Sequence, residues 1–340
     1  MIIKTDINKI FKIDESNRLF SDFLFTYIND SKNVCNSNLY KSIINYFQLD
    51  KKYINLFEKD HSFSKNITEL DVNEYKNNPY NKNIVLDNVK YKNYKFEYES
   101  FNNYEGFLCD EINVDDNYLE QIKIGYFTSK YNYLTISKDD VKWMLITPHE
   151  INTMKKAVDN AFGNVITFGL GLGYFAYMCS IKENVNSVTI IEKDEEIINL
   201  FNKFILPKFE YAHKIKIIKE DAIEYLKNDD FNYDYAFIDL WHDTEDGLKL
   251  YVDTYKLSLL HPNTKFDFWI EKSMLIVIRR CIISILYEQI NNIEYNEINN
   301  YYDYLASKLK QLLNNYVINS YEDLIKLLSD ENIKNIITKI

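Results

Sequence analysis

Residues 163–178 read GNVITFGLGLGYFAYM, residues 187–198 SVTIIEKDEEII, residues 215–226 IKIIKEDAIEYL and residues 234–243 DYAFIDLWHD. Four of the seven glycines in this 340-residue chain (Gly163, Gly169, Gly171 and Gly173) fall within the first eleven residues of that block. A chain so poor in glycine gathers it where the backbone must bend sharply or approach something closely. The pattern then alternates. Residues 165–168 are apolar or β-branched, which predicts a buried strand, and 174–182 predicts a helix. Residues 188–191 form a second expected strand, ending in Glu192. Residues 195–204 carry apolar positions at helical spacing, with Pro207 soon after. Residues 215–218 and 235–238 complete the strands, with 223–226 starting a helix between them. Strand and helix in turn is the pattern of a parallel sheet covered by helices on both faces.

Ligands of such sheets bind outside the carboxyl ends of the strands. The residues expected there are Gly169, Leu170, Gly171 and Gly173, then Glu192 and Lys193, then Asp221 and Ala222, then Asp239 through Asp243. The glycine loop lets a strand turn tightly into a helix and lets a ligand touch the backbone. The helix start favours a negative group such as a carboxylate. Glu192, some twenty residues on, suits the paired hydroxyls of a ribose. Asp221 followed by small Ala222 suits an adenine: an acceptor for the exocyclic amine and room for the ring.

These residues together resemble a class I S-adenosylmethionine-dependent methyltransferase domain, and within that superfamily most resemble the spermidine synthase branch. Glu192-Lys193-Asp194 matches that branch's E-x-D after strand two. Leu206-Pro207 and Asp221-Ala222 fall where the branch has similar residues, and His149-Glu150 lies near an acidic position of those enzymes. The resemblance covers residues 145–275. It implies a Rossmann-like, doubly wound, mostly parallel α/β sheet that binds S-adenosyl-L-methionine or decarboxylated S-adenosylmethionine. Gly169, Gly171 and Gly173 would flank the methionine part, Glu192 the ribose and Asp221 the adenine. Asp239 fits the first aspartate of the branch's D-S-S-D-P, which helps deprotonate an attacking amine. Two departures stand out. Leu172 occupies the acidic place of the G-G-G-D-G-G loop, and the segment after strand four is Asp239-Leu240-Trp241-His242-Asp243, with no proline and the second aspartate displaced by one. The altered acidic floor points away from aminopropyl transfer. His242 is a candidate general base oriented by Asp243 or Asp239, so Asp239, His242 and Asp243 are the catalytic candidates.

A net charge of −11 argues against a nucleic-acid partner held through phosphates and suits a cationic or neutral small-molecule acceptor. Hydrophobic content of 46% supports a real core. Cys35, Cys109, Cys179 and Cys281 are scattered without C-x-x-C spacing, so neither disulfides nor a metal site is expected and a reducing cytoplasm fits. The first residues lack the apolar core of a signal peptide. The apolar run 274–286 is interrupted by Arg279-Arg280 and is too short to span a bilayer. The chain therefore reads as cytoplasmic, without a membrane partner.

Outside the central block, residues 1–92 form an expected helical region, with aromatic-rich helices at 17–27 and 39–57 whose aromatics read as core. Residues 61–95, which run across its end, are polar and rich in Asn, Lys and Tyr, a candidate linker. Residues 93–146 carry short expected strands at 96–99, 106–109, 122–127, 131–136 and 141–146, a small antiparallel β region. The expected cofactor domain spans 147–290. It opens at Thr147-Pro148-His149-Glu150, where Thr147 caps a helix and Glu150 reaches back to complete a capping box; His149 reads as a surface residue. Asp246-Gly247 predicts a turn before a helix at 248–260. Residues 266–270 form a fifth strand, with Glu271 as a further acidic cleft candidate, and 273–290 a helix whose Arg279-Arg280 pair reads as a solvated or salt-bridged face. Residues 291–340 form a helical extension, with Ser320 capping 321–328. A homodimer is left open. Three functions fit this reading: methyl transfer to a small-molecule acceptor, aminopropyl transfer from the decarboxylated donor, and nucleoside binding without catalysis.

Overall fold

The computed structural model describes residues 1–30, 36–86, 88–228, 230–293 and 301–340. Cys35 lies outside the described residues; Cys109, Cys179 and Cys281 are free thiols.

Five strands build the central sheet: β1 (Gly163–Phe168), β2 (Val185–Glu192), β3 (Ile215–Lys219), β4 (Tyr235–Ile238) and β5 (Lys265–Phe268). Their order is β3-β2-β1-β4-β5 and every neighbouring pair is parallel. The middle strands are buried on both faces: Val165, Ile166, Phe168, Val188, Ile190, Ala236 and Ile238 are all inaccessible. That is why they read as continuous apolar runs without alternation. Helices Tyr174–Ser180, Glu195–Leu200, Ala222–Tyr225 and Thr244–Ser258 connect successive strands. The helix expected over 195–204 widens into a π turn at Phe201–Ile205 ahead of Pro207. Asp246-Gly247 is no turn. Both residues lie inside Thr244–Ser258, because Asp243 caps that helix and starts it earlier.

The β region is divided between sheets. Tyr94–Phe101 and Tyr131–Lys138 form a long antiparallel pair flanked by Val141–Leu145 and Lys90–Tyr91. Phe107–Leu108 and Ile124–Tyr126 instead join a second sheet, where Ile67–Glu69 pairs in parallel with Ile124–Tyr126. Residues 61–95 are therefore not a linker. They contain that strand and the helices Val72–Lys76 and Pro79–Asn83, and Tyr75, Tyr80 and Ile84 are buried. The tyrosines and asparagines here bond to each other and to the glycine loop and the helix that follows it. Asn78 donates to the Tyr174 hydroxyl at 3.0 Å, and the Tyr80 hydroxyl donates to the Leu172 carbonyl at 2.6 Å.

The N-terminal helices are Asn8–Asp30, Leu39–Tyr46 and Lys51–His61; Asp50 caps the third, splitting the run expected as one. Phe20, Leu24, Tyr27, Phe57 and Phe63 form their core with Ile122 and Ile124. The C-terminal helices Tyr301–Leu313, Tyr321–Leu328 and Asp330–Ile337 follow the long helix Glu271–Asn291, and Ser320 caps the second in a full capping box. Strand Val317–Ile318 pairs in parallel with Ile2–Ile3, so the first residues join the C-terminal helical extension. No described helix is long and apolar enough to cross a membrane.

Two arginines tie the long helix to its neighbours. Buried Arg279 donates to the Leu328 carbonyl at 2.8 Å and pairs with Asp330. Arg280 grips Glu120, itself 1% exposed, through both of its oxygens. Removing one partner of such a pair strands a buried charge. Arg280→Ala is therefore expected to lower unfolding free energy by about 3–5 kcal/mol in urea titration; Glu120→Gln, which leaves no naked carboxylate, is expected to cost less.

Candidate functional site

A cavity of about 550 Å³ opens across the carboxyl ends of β1 to β4. Its position follows from strand register. Phe168 pairs with Ile191 and with Ile238, so three strands end level. Gly169 N–H donates to the Ile191 carbonyl at 3.0 Å and Asp239 N–H to the Phe168 carbonyl at 2.9 Å. The glycine loop, Glu192 and Asp239 are thereby fixed side by side.

The glycines of the loop differ in what requires them. Gly169 has φ +96°, and a Cβ there would lie 1.9 Å from the Asp239 carbonyl oxygen, so it serves packing. Gly171 has φ +51°, and a Cβ there would meet only the Met144 sulfur at 3.9 Å. Its surroundings are open and belong to the cavity wall. The helix after the loop has only seven residues, so its dipole is short.

Glu192 lines the cavity and is held rigidly. One carboxylate oxygen accepts from Leu170 N–H at 3.2 Å and the other from Asp194 N–H at 2.8 Å. Each oxygen keeps a lone pair for a further donor. Lys193 lies on the same wall. Asp221 uses Oδ1 to accept from Ile223 and Glu224 N–H, capping the short helix Ala222–Tyr225, and both Asp221 and Ala222 line the cavity. Leu172, where the resemblance expects an acid, is buried, and its carbonyl is occupied by Tyr80.

On the other side stand Asp239 and Glu150. Asp239 is half-buried at the cavity edge with protein packed closely about its carboxyl. Desolvation raises its pKa well above the ordinary aspartate value, and the nearby charge of Glu150 adds to this. Glu150 departs from its expected structural role. Thr147 accepts from Glu150 N–H at 3.4 Å, but the return bond of a capping box is not among those of the described residues. Glu150 lines the cavity instead, with one carboxylate oxygen 3.8 Å from His149 Nδ1. His149 is not a surface residue either: its side chain is 20% exposed and its ring lies 6.4 Å from that of Trp269.

The segment after β4 splits. Trp241 is buried and donates to the Trp269 carbonyl at 3.3 Å. His242 lies on the cavity wall, oriented neither by Asp243 nor by Asp239 but by Asp246, whose Oδ2 is 2.9 Å from Nδ1. Asp243 is outside the cavity lining, and its carboxylate caps Thr244–Ser258 by accepting from Glu245 and Asp246 N–H. Glu271 also lies outside, bonded to the Tyr251 hydroxyl and Lys334. Glu150, Trp143 and Trp269 are cavity residues that sequence reasoning missed as such or placed elsewhere. Glu150 did carry a signal, an acid at the start of the helix before β1.

Neither the family models nor the curated proteins contain a match to this chain. Among solved structures it is similar to the spermidine synthase from Thermotoga maritima, with 14% identity over 44% of this chain and 59% of that one, at TM-score 0.31. A spermidine synthase in complex with the transition state analogue AdoDATO matches with 14% identity over 44% and 58%, at TM-score 0.31. A dimethyladenosine transferase from Plasmodium falciparum matches with 17% identity over 37% and 43%, at TM-score 0.27. The chain thus spans less than two thirds of the length of these synthases. The class rests on the chain's own strand order and glycine bend, which define a Rossmann-like, doubly wound α/β fold.

Two outcomes follow. Gly169→Ala is expected to destabilise by more than about 3 kcal/mol, through overlap added to left-handed backbone strain. Gly171→Ala, which meets no overlap, is expected to cost only about 1–2 kcal/mol; denaturant melts compare them. Asp239 supplies the second. Its folded pKa lies above its unfolded value of about 3.9, so the folded state binds the extra proton and stability declines as pH climbs above that value. Asp239→Asn is expected to melt higher than the parent at pH 8, with the gap closing as pH falls toward about 4.

Proposed function

We propose that this protein is an S-adenosylmethionine-dependent transferase that moves a methyl group to a small-molecule acceptor. The observation that supports this most is the placement of Glu192. Its carboxylate is clamped by two backbone N–H groups, level with an open glycine loop, and turned to a cavity large enough for a nucleoside. In this reading Glu192 takes the ribose hydroxyls, Asp221 the adenine amine over Ala222, and Gly171 leaves room for the methionine part. The donor supplies a sulfonium that makes an attached carbon electrophilic. The chain's own residues hold the acceptor in line, exclude water through Trp143, Trp241 and Trp269, and take up a proton. No nucleic acid or membrane enters this reading, and a cytoplasmic setting suits it.

A second reading, aminopropyl transfer, is favoured by charge. The cavity lining includes Glu150, Glu192, Asp194, Glu220, Asp221 and Asp239 against a single lysine, Lys193. Such a wall suits a donor without a carboxylate and an acceptor that carries positive charge. The buried Leu172 weighs against it.

Thermal melts with S-adenosylmethionine, its decarboxylated form and methylthioadenosine rank the donors. At 100 times its dissociation constant the right ligand stabilises by about 2.7 kcal/mol, and Glu192→Ala is expected to abolish that gain. Melts that none of the three moves would sink the donor assignment. Mass spectrometry of amine and alcohol panels then separates an added methyl from an added aminopropyl group. Tight binding with every panel unmodified would favour nucleoside binding without catalysis.

A further inference from the structure

Of the ionisable groups on the cavity wall, His242 alone is held through one ring nitrogen by a carboxylate that is itself fixed. Asp246 sits one helical turn on. Its Oδ1 accepts from His242 N–H at 3.0 Å and from Asp243 N–H at 3.1 Å, while Oδ2 faces His242 Nδ1 at 2.9 Å. These bonds hold the Asp246 carboxyl below the usual aspartate range against the opposing effect of burial. An ionised Asp246 needs a donor at Nδ1, which places the neutral ring's proton there and leaves the lone pair on Nε2.

The ring also has the right access. Its side chain is 60% exposed, so a proton taken on its cavity side can pass to bulk water. Its neighbour Trp241 is anchored inward by the Trp269 carbonyl and packed against Gly247, where a Cβ would lie 2.5 Å from Trp241 Cγ. The segment cannot slide without breaking that anchor. The titratable groups around the ring are Asp239, Asp243, Glu245 and Asp246 near it in the chain, with Glu150 and Lys193 sharing the cavity lining and Tyr302 bonded to the Thr244 carbonyl.

We propose that His242 Nε2 is the proton acceptor for the nucleophile of the transfer reaction, and that Asp246 is its positioning residue. This rests on the transferase reading above. The step balances simply. The acceptor's N–H or O–H proton passes to Nε2, and the freed electron pair forms the new bond to the sulfonium carbon. The carbon–sulfur bond breaks with its pair going to sulfur, which becomes a neutral thioether. The imidazolium formed is stabilised by Asp246 and returns its proton to solvent.

Nitrogen NMR of the full chain labelled with 15N-histidine tests this without knowledge of the acceptor. The chain has five histidines, and His242→Gln assigns the signal. At pH 8 the parent is expected to show His242 protonated at Nδ1, with Nε2 free. Addition of S-adenosylmethionine or methylthioadenosine is expected to shift the Nε2 resonance, and Asp246→Asn to mix the two tautomers. A histidine that merely closes a helix cap would keep its Nε2 signal unmoved by donor. Thermal melts run in parallel with the same two compounds. If they show donor binding while Nε2 stays unmoved, or carries the proton in the neutral ring, the His242 role is overturned and the donor reading stands. If neither compound binds, both fall together.

Discussion

The contact on which this molecule depends is the closure of Gly169 onto the backbone of Asp239. Two parallel strands can end level only if the chain leaving one does not collide with the chain leaving the other. Here the missing Cβ makes room for a carbonyl oxygen that would otherwise stand 1.9 Å away. The hydrogen bonds from Gly169 to Ile191 and from Asp239 to Phe168 then lock three strand ends into one plane. From that plane the glycine loop, Glu192 and Asp239 necessarily share a cavity. The antiparallel sheet adds Trp143 and Met144 to its wall, and the first helix of the α/β block adds Glu150.

Placing acids at that junction works against stability. Asp239 is desolvated by its own fold and repelled by Glu150, whose carboxylate lies 3.8 Å from His149 Nδ1. A positive charge in the cavity would offset both effects. The contrast with Glu120 is instructive. That residue is more deeply buried, yet Arg280 and Ser21 bond its carboxylate, Asn17 its N–H and His61 its carbonyl. One acid fastens helices together; the other is kept waiting.

The α/β block was legible because its strands are buried on both faces. Apolar β-branched runs such as 165–168 and 188–191 have one stable environment, whatever surrounds them. The glycine bend was legible for the same reason, since positive φ has few occupants. Residues 61–95 were not. Their asparagines and tyrosines look solvated in sequence, but Asn78, Tyr80 and Asn81 bury their polar atoms against Tyr174, the Leu172 carbonyl and Tyr131. Mutual satisfaction leaves no mark on hydropathy. Glu150 and Asp246 show a different limit. Position in a first helical turn is readable, but which way the carboxylate turns is settled by tertiary neighbours.

The segment Asp239-Leu240-Trp241-His242-Asp243 shows how one inserted anchor redistributes roles. Trp241 must point inward, since its indole N–H finds the Trp269 carbonyl and its ring fills the space that Gly247 leaves. With that position fixed, the next residue faces the cavity mouth and the one after it reaches the start of Thr244–Ser258. His242 therefore meets the cavity, and Asp243 is drawn into capping two backbone N–H groups, those of Glu245 and Asp246, that would otherwise lack partners. A second acid beside Asp239 then has to come from another element, and the helix start at Pro148–Asn160 presents Glu150 there. Asp239 and Glu150 thus bring acid to the cavity lining from two different elements, a strand tip and a helix start.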